Sequence, residues 1–349
     1  MLWVDAAKGL SIILVVLLHT SAWFTDGKGF GHSYVLGISR SFQPLRMPLF
    51  FLISGMLIAG AIFNDHPKIA WRAVSLMTVY VFWTVLHASR LALFPGLAPD
   101  LHFSAALFLW SVAVPGIYWY IWALPLYYAL AALLTVPARK AGLEWLLYAG
   151  LAVSATGCLF WSEIATFLTQ AGDLKHRVEF NFIASAVRSL FWFMAGVVFS
   201  HRIKALVNRA PSDGAAPILA GAALVALGMY IASFGPAFEH LVAPFAMVTG
   251  TLVLLRRAGS IMPVRVCEFI GTRTLPIYIF HLLLLNVLSF AVGRFRVAGP
   301  FSETVGIVAP LVMTIALIPA CILIEMILRR IRLGVLLDGL PGLRYKPRS

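Results

Sequence analysis

Apolar runs of nearly twenty residues recur from one end of this chain to the other, and they leave few architectures open. At 1.5 Å per residue, a helix needs about twenty residues to cross about 30 Å of hydrocarbon. Inside lipid every backbone N–H and C=O must be bonded within the protein, so only helices and closed barrels cross. Barrel strands read as ten-residue alternations of apolar and polar positions. The runs here are continuous, which excludes that solution. The fold class is all-α, a polytopic bundle of transmembrane helices. Composition agrees: 61% of the 349 residues are hydrophobic and 12% charged, about half the charge of a soluble domain.

The runs resolve into ten spans: 4–24, 42–63, 72–94, 117–136, 144–166, 182–200, 215–234, 239–255, 275–292 and 303–328. A further apolar piece, 103–114, is too short to cross and is followed by Pro115 and Gly116. It reads as a re-entrant or interfacial helix on the outer side; counted as a crossing, it would give eleven spans and invert everything after it. Basic residues decide between the two. With the amino end in the cytoplasm, the inner loops hold Lys68, Arg139, Lys140, Arg202, Lys204, Arg209, Arg256, Arg257, Arg265 and Arg273. Six more, from Arg329 to Arg348, lie in the carboxyl tail. The outer loops are much poorer in Lys and Arg, the positive-inside pattern. Both termini are expected to be cytoplasmic.

That distribution accounts for most of the net charge of +13 without a nucleic-acid partner. Cys158, Cys267 and Cys321 have no motif spacing, so neither a metal site nor a disulfide framework is expected. The first run has no basic stretch before it and does not read as a cleavable signal. Residues 1–349 are expected to form one transmembrane domain with no soluble appendage. No internal repeat is visible, which argues against a transporter built on inverted repeats.

The first span, "DAAKGLSIILVVLLHT", carries ionisable groups in an otherwise lipid-soluble segment. Lys8 and His19 are eleven residues apart, three helical turns, so they share one face about 16 Å apart along the axis. Asp5, three residues before Lys8, joins the same stripe. Such groups are costly in a membrane and normally face a polar cavity. A snorkelling lysine and a histidine bonded to a neighbouring helix would satisfy the pattern structurally. The functional reading is a base at mid-depth, with a cation beneath it for an anionic ligand from the cytoplasm.

This stretch resembles the first helix of the membrane-bound acyltransferase-3 family, whose signature is an arginine, ten residues and a histidine. Here Lys8 stands in the arginine position, keeping the charge without the bidentate fork. Other segments resemble the family in order: "RMPLFFLISGMLI" (46–58), "YWYIWALPLYY" (118–128), "AVRSLFWFMAG" (186–196) and "TRTLPIYIFH" (272–281). The branch is that of fucose-acetylase-like and bacterial inner-membrane O-acyltransferases. The resemblance implies an enzyme of the bacterial cytoplasmic membrane. It would move an acyl group, acetyl by default, from cytoplasmic acyl-CoA to a hydroxyl of an extracytoplasmic glycan. Acyl-CoA would be a co-substrate, with no permanently bound cofactor. His19 would act as general base or carry the acyl group. Lys8, with Lys68 and Arg72 where the family has a basic pair after the second helix, would bind acyl-CoA.

Other polar positions divide the same way. Arg46 at the outer end of the second span, Arg90 in the third and Arg188 in the sixth fit an acceptor pocket or acyl path, with lipid-phosphate snorkelling as the structural alternative. Trp119 and Tyr120 fit sugar stacking or an interfacial belt. His281, five residues after Pro276, reads as structural, with a kink at the proline. Glu163 and Glu325 near span ends read as solvated, and Gly55 and Gly60 as close-packing positions. Two other function classes share the hydropathy: a transporter whose path is lined by Lys8 and His19, and a non-catalytic scaffold. The ordered motifs favour acyl transfer.

Overall fold

The computed structural model describes residues 2–28, 34–64, 66–93, 116–140, 142–171, 177–209, 214–258, 261–292 and 302–339, and every regular element among them is helical. The helices are α1 (Leu2–Lys28), α2 (Tyr34–Ser41), α3 (Gln43–Asn64), α4 (His66–Leu93), α5 (Trp119–Lys140), α6 (Trp145–Ala171) and α7 (Arg177–Val198). They continue with α8 (Ser200–Arg209), α9 (Ala216–Ala232), α10 (Ala243–Arg257), α11 (Met262–Gly271), α12 (Thr274–Val292), α13 (Ser302–Arg330) and α14 (Val335–Asp338). The apolar segment 103–114 lies outside the described residues.

Each of the ten apolar runs falls on a helix. Among the described residues, six stretches are long and apolar enough to cross a membrane: those of α1, α3, α4, α5, 238–257 and α13. Two bent pairs raise the number to eight if each is one span: α7 with α8, bent 73°, and α11 with α12, bent 84°. Trp145–Trp161 and Ala216–Ala232 are shorter apolar helices. Large apolar side chains stand exposed along these helices, among them Leu133 and Ile315, at 71% and 73%. Lipid is the only solvent in which such faces cost nothing.

Helix boundaries follow local chemistry. Helix α4 begins six residues before the run at 72, so Lys68 and Arg72 lie in its first two turns rather than in a loop. Pro67 sits in that first turn, where its missing N–H has no helical partner to lose. Ahead of α10 the chain forms a π-helical turn, Phe238–Val242, whose closing bond runs from the Ala243 N–H to the Phe238 carbonyl. Pro244 follows and has no N–H to give to the turn before it.

The chain divides into two compact units. The first comprises Met1–Ile53 and Arg202–Ile331. Its hub is α1, which packs against α2, α10, α11, α12 and α13. The contact with α11 is backbone to backbone. A Cβ added at Gly9 would overlap the Cys267 carbonyl oxygen, and one at Gly271 would overlap that of Asp5. Small residues permit this approach, and in lipid close van der Waals packing is what holds helices together. Higher on α1, the Thr20 and Thr314 hydroxyls meet at 2.8 Å and also bond the Leu17 and Pro310 carbonyls. Glu325 is buried, 7% exposed, rather than solvated; Arg329 one turn on donates to it at 2.8 Å. Unpaired, a carboxylate there would be prohibitive.

The second unit comprises Ser54–His201 and Arg332–Ser349. Helix α6 packs on α7, α5 on α4, α6 and α7, and the short α14 on α4. Ser75 Oγ and Trp83 Nε1 on α4 donate to the Asp338 and Leu336 carbonyls of α14. Tyr127 donates from its hydroxyl to the Ala186 carbonyl. Gly55 packs tightly as expected: a Cβ there would overlap the Phe193 carbonyl oxygen. Gly60 does not, since a Cβ there would meet nothing within 4 Å.

Candidate active site

Helix α1 carries the two groups that the first span singled out. Its period sets Lys8 and His19 on one face. Near the amino end, Lys8 Nζ pairs with Asp5 Oδ1 at 2.8 Å, one turn back. Their side chains are only 18% and 30% exposed. A lysine in this setting keeps two further ammonium hydrogens for a ligand.

His19 meets a second imidazole. The rings of His19 and His281 are 5.3 Å apart between centroids and tilted by 42°. Helix α12 brings His281 there, beyond the 84° break that separates it from α11. Gly9 and Gly271 touch where α1 crosses α11, and each histidine lies ten residues further along its chain. Pro276 does not kink the span itself. It sits in the first turn of α12, just after the 84° break at Thr272 and Arg273. Broken helices expose backbone polar groups and are tolerated where protein or a cavity receives them.

The environments of the two rings differ. His19 is partly buried, whereas His281 is fully buried. His281 Nδ1 lies 2.9 Å from the Ile277 carbonyl. A carbonyl only accepts, so Nδ1 carries the hydrogen, and Nε2 of the neutral ring keeps its lone pair. That Nε2 is buried and makes no hydrogen bond. The Tyr278 ring stands 6.0 Å away.

Arg46 on α3 completes the cluster within the first unit. It is 4% exposed, and its Nη1 donates to the Ser39 carbonyl at 2.9 Å and to Ser39 Oγ at 3.1 Å. Its charge acts on the His19 ring. The short helix α2 exists at the right place to hold Ser39 under this cation. A base and a second imidazole therefore stand side by side, with a fixed cation near enough for its charge to act on the base. Such a set can accept a proton from a hydroxyl and oppose a developing oxyanion.

The remaining residues singled out from the sequence belong to the second unit. Lys68 and Arg72 lie one turn apart on α4, and the charge of Arg72 reaches Tyr128. Tyr120 is buried, with its hydroxyl 3.4 Å from Ser54 Oγ. Trp119 beside it is half-buried. Arg188 donates from Nε to the Ala184 carbonyl of its own helix at 3.3 Å, and its charge reaches Cys158. The side chain of Arg90 lies outside the described residues. His281, read from the sequence as structural, stands beside His19. Its only signal was its place at the end of "TRTLPIYIFH".

A family profile described as an acyltransferase domain matches residues 1–330, nearly the whole chain. The chain belongs to the acyltransferase-3 family. The match runs through both compact units. Among curated proteins, the chain is similar to Nodulation protein NolL of Sinorhizobium fredii, 33% identical over 125 residues. That alignment covers 34% of this chain and 32% of the relative. It is also similar to Nodulation protein NolL of Mesorhizobium japonicum, 31% identical over 134 residues, covering 38% of this chain and 35% of that protein. The chain thus spans about a third of the length of the curated relatives it matches. No solved structure matches it significantly. As an acyltransferase-3 member with several apolar helices, it is an integral membrane protein.

Proposed function

We propose that the chain is a membrane O-acyltransferase that moves an acyl group, acetyl by default, from cytoplasmic acyl-CoA to a hydroxyl of an extracytoplasmic glycan. The observation that carries this reading is the pairing of His19 with His281 and Arg46 in a member of the acyltransferase-3 family. His19 takes the proton of the acceptor hydroxyl as its oxygen attacks the thioester carbonyl carbon. Arg46 opposes the oxyanion that forms. The C–S bond then breaks, and the coenzyme leaves as a thiol with the proton held by His19. In the covalent variant, a His19 nitrogen attacks the thioester carbonyl and the C–S bond breaks, the coenzyme leaving as a thiol with the imidazole N–H proton; the acceptor hydroxyl then attacks the acyl-imidazole, and its proton returns to the freed ring. The family resemblance assigns Lys8, Lys68 and Arg72 to acyl-CoA, and their sequence positions assign Arg90, Trp119, Tyr120 and Arg188 to the acceptor or acyl path. The whole chain acts as one acyltransferase domain in a bacterial inner membrane.

The direct test is thioester consumption by purified protein, with glycan ester content compared by mass spectrometry in a deletion strain and its parent. Loss of glycan esters in the deletion strain and thiol release in vitro are expected. Solute movement without thioester consumption would instead make the chain a transporter.

This chemistry needs a sidedness. In the proposed topology the chain crosses ten times with both termini in the cytoplasm: the two shorter apolar helices, Trp145–Trp161 and Ala216–Ala232, cross in addition to the eight candidate crossings reached when each bent pair counts once. Cysteines placed at Tyr34 and Gly235 are then expected to label from outside intact cells, and those at Gly142 and Gly214 to stay unlabelled. Outside labelling at Gly142 would overturn the topology.

Lys8 supplies a second test. Its ammonium lies about 16 Å below His19 along α1, a reach suited to a coenzyme phosphate rather than to the acyl carbon. Lys8→Arg is expected to retain most activity, and Lys8→Ala to weaken acyl-CoA binding while leaving turnover at saturation nearly intact. Unchanged acyl-CoA binding in Lys8→Ala would reduce the lysine to an anchor paired with Asp5.

A further inference from the structure

We infer that His281 positions His19: its Nε2 accepts the N–H of the His19 imidazole and so fixes which His19 nitrogen faces the acceptor hydroxyl. This rests on the role of His19 proposed above. Three observations carry it. The Ile277 carbonyl consumes the His281 Nδ1 hydrogen at 2.9 Å and leaves Nε2 as an acceptor. That acceptor is buried without a partner, an arrangement proteins rarely keep without use. The His19 ring stands beside that of His281, at 5.3 Å between centroids.

Two imidazoles at that centroid separation reach about 3 Å between nitrogens, hydrogen-bond range, only when those nitrogens point at each other. In the structure His281 Nε2 makes no such bond. The inferred bond therefore requires the His19 ring to turn about χ2, a soft two-fold torsion. His281 is itself fully buried and does not reach substrate. The Tyr278 ring stands 6.0 Å from His281, and the charge of Arg46 acts on His19. The cation of Arg46 donates only, so it offers His19 no acceptor. Among these neighbours His281 Nε2 is the acceptor for a His19 N–H. When His19 takes the hydroxyl proton, both its nitrogens carry hydrogen; one stays on the His281 lone pair and the other returns to the leaving thiolate.

Two substitutions separate positioning from mere packing. Asparagine mimics a histidine Nδ1, so His281→Asn keeps the donor to Ile277 and loses the inward acceptor. Glutamine mimics Nε2, so His281→Gln keeps an acceptor toward His19 and loses the Ile277 bond. If His281 positions His19, His281→Asn lowers kcat about ten- to a hundredfold with KM for acyl-CoA unchanged, and His281→Gln rescues most of that loss. The reverse order of activities would mean that the Ile277 bond is what matters, and would overturn the inference. A second measurement needs no turnover: ¹⁵N resonances of histidine-labelled protein, with His19 assigned by its absence in His19→Gln. His19 is expected in a single tautomer in the wild type and in a mixture in His281→Asn. A mixture in the wild type, or a single tautomer unaffected by His281→Asn, sinks the inference even if the variants fold poorly. If the wild-type protein consumes no thioester while the tautomer result holds, the acyl-transfer reading fails and the pairing stands.

Discussion

His19→Ala is expected to abolish acyl transfer while the protein still inserts and still binds acyl-CoA. His19 is the partly open member of the imidazole pair, and it shares a helix face with the Lys8–Asp5 pair three turns below. Loss of a general base typically costs about 10²–10⁴-fold, and loss of a covalent carrier costs more. His19→Gln keeps size and polarity without a usable base and is expected to be equally inactive. The two mechanisms part in a trapping experiment. An acyl-histidine at position 19, caught by rapid denaturation after mixing with acyl-CoA and read by mass spectrometry, marks the carrier. The decisive assay is acyl transfer by both variants in membranes, normalised to folded protein. Transfer near the wild-type rate in either one reduces His19 to a packing residue.

The second large effect concerns stability. Gly9→Ala adds a single methyl group, yet that carbon would occupy the position of the Cys267 carbonyl oxygen and press on the Gly271 N–H. Backbone cannot turn aside as a side-chain tip can, so α1 and α11 must part. Overpacking of this kind costs about 1–3 kcal/mol or more. Because α1 is the hub of its unit, separation there disturbs its contacts with α12 and α13 as well. Gly60→Ala is the control. No atom lies within 4 Å of its added carbon, and alanine gains about 1 kcal/mol over glycine within a helix. The expected order of thermal melting in detergent is Gly60→Ala at or above wild type, and Gly9→Ala well below. Gly9→Ala melting at the wild-type temperature would show that the crossing is not as tight as its geometry implies.

The same two glycines show how far the sequence could be read. In the chain Gly9 is one small residue among several in an apolar run, and Gly60 looks like a better packing candidate beside Gly55. Only the neighbour across the gap separates them: Cys267 and Gly271 for one, nothing for the other. Glu325 follows the same rule. Its place near a span end suggested solvent, but the packed helices around it leave Arg329 as its answer to burial. His281 was legible as the end of a family-like segment, and its position next to His19 was not. The residues are 262 positions apart, and no local pattern encodes that meeting.

What the sequence determined by itself is whatever depends on a local period or length. Each of the ten long apolar runs falls on helix among the described residues, because lipid admits no unbonded backbone and a helix satisfies its own. Lys8, Asp5 and His19 fell on one face, because 3.6 residues per turn leaves them nowhere else. The tertiary structure alone decided which faces meet: the Gly9–Gly271 crossing, the Thr20–Thr314 contact, the sharp break before α12, and the gathering of Arg46 and His281 around His19. The reason is physical. In a water-soluble protein, hydrophobicity separates inside from outside and so announces the packed face. In a membrane the lipid and the helix interface are equally apolar, and shape, backbone approach and a few buried polar pairs make the choice instead.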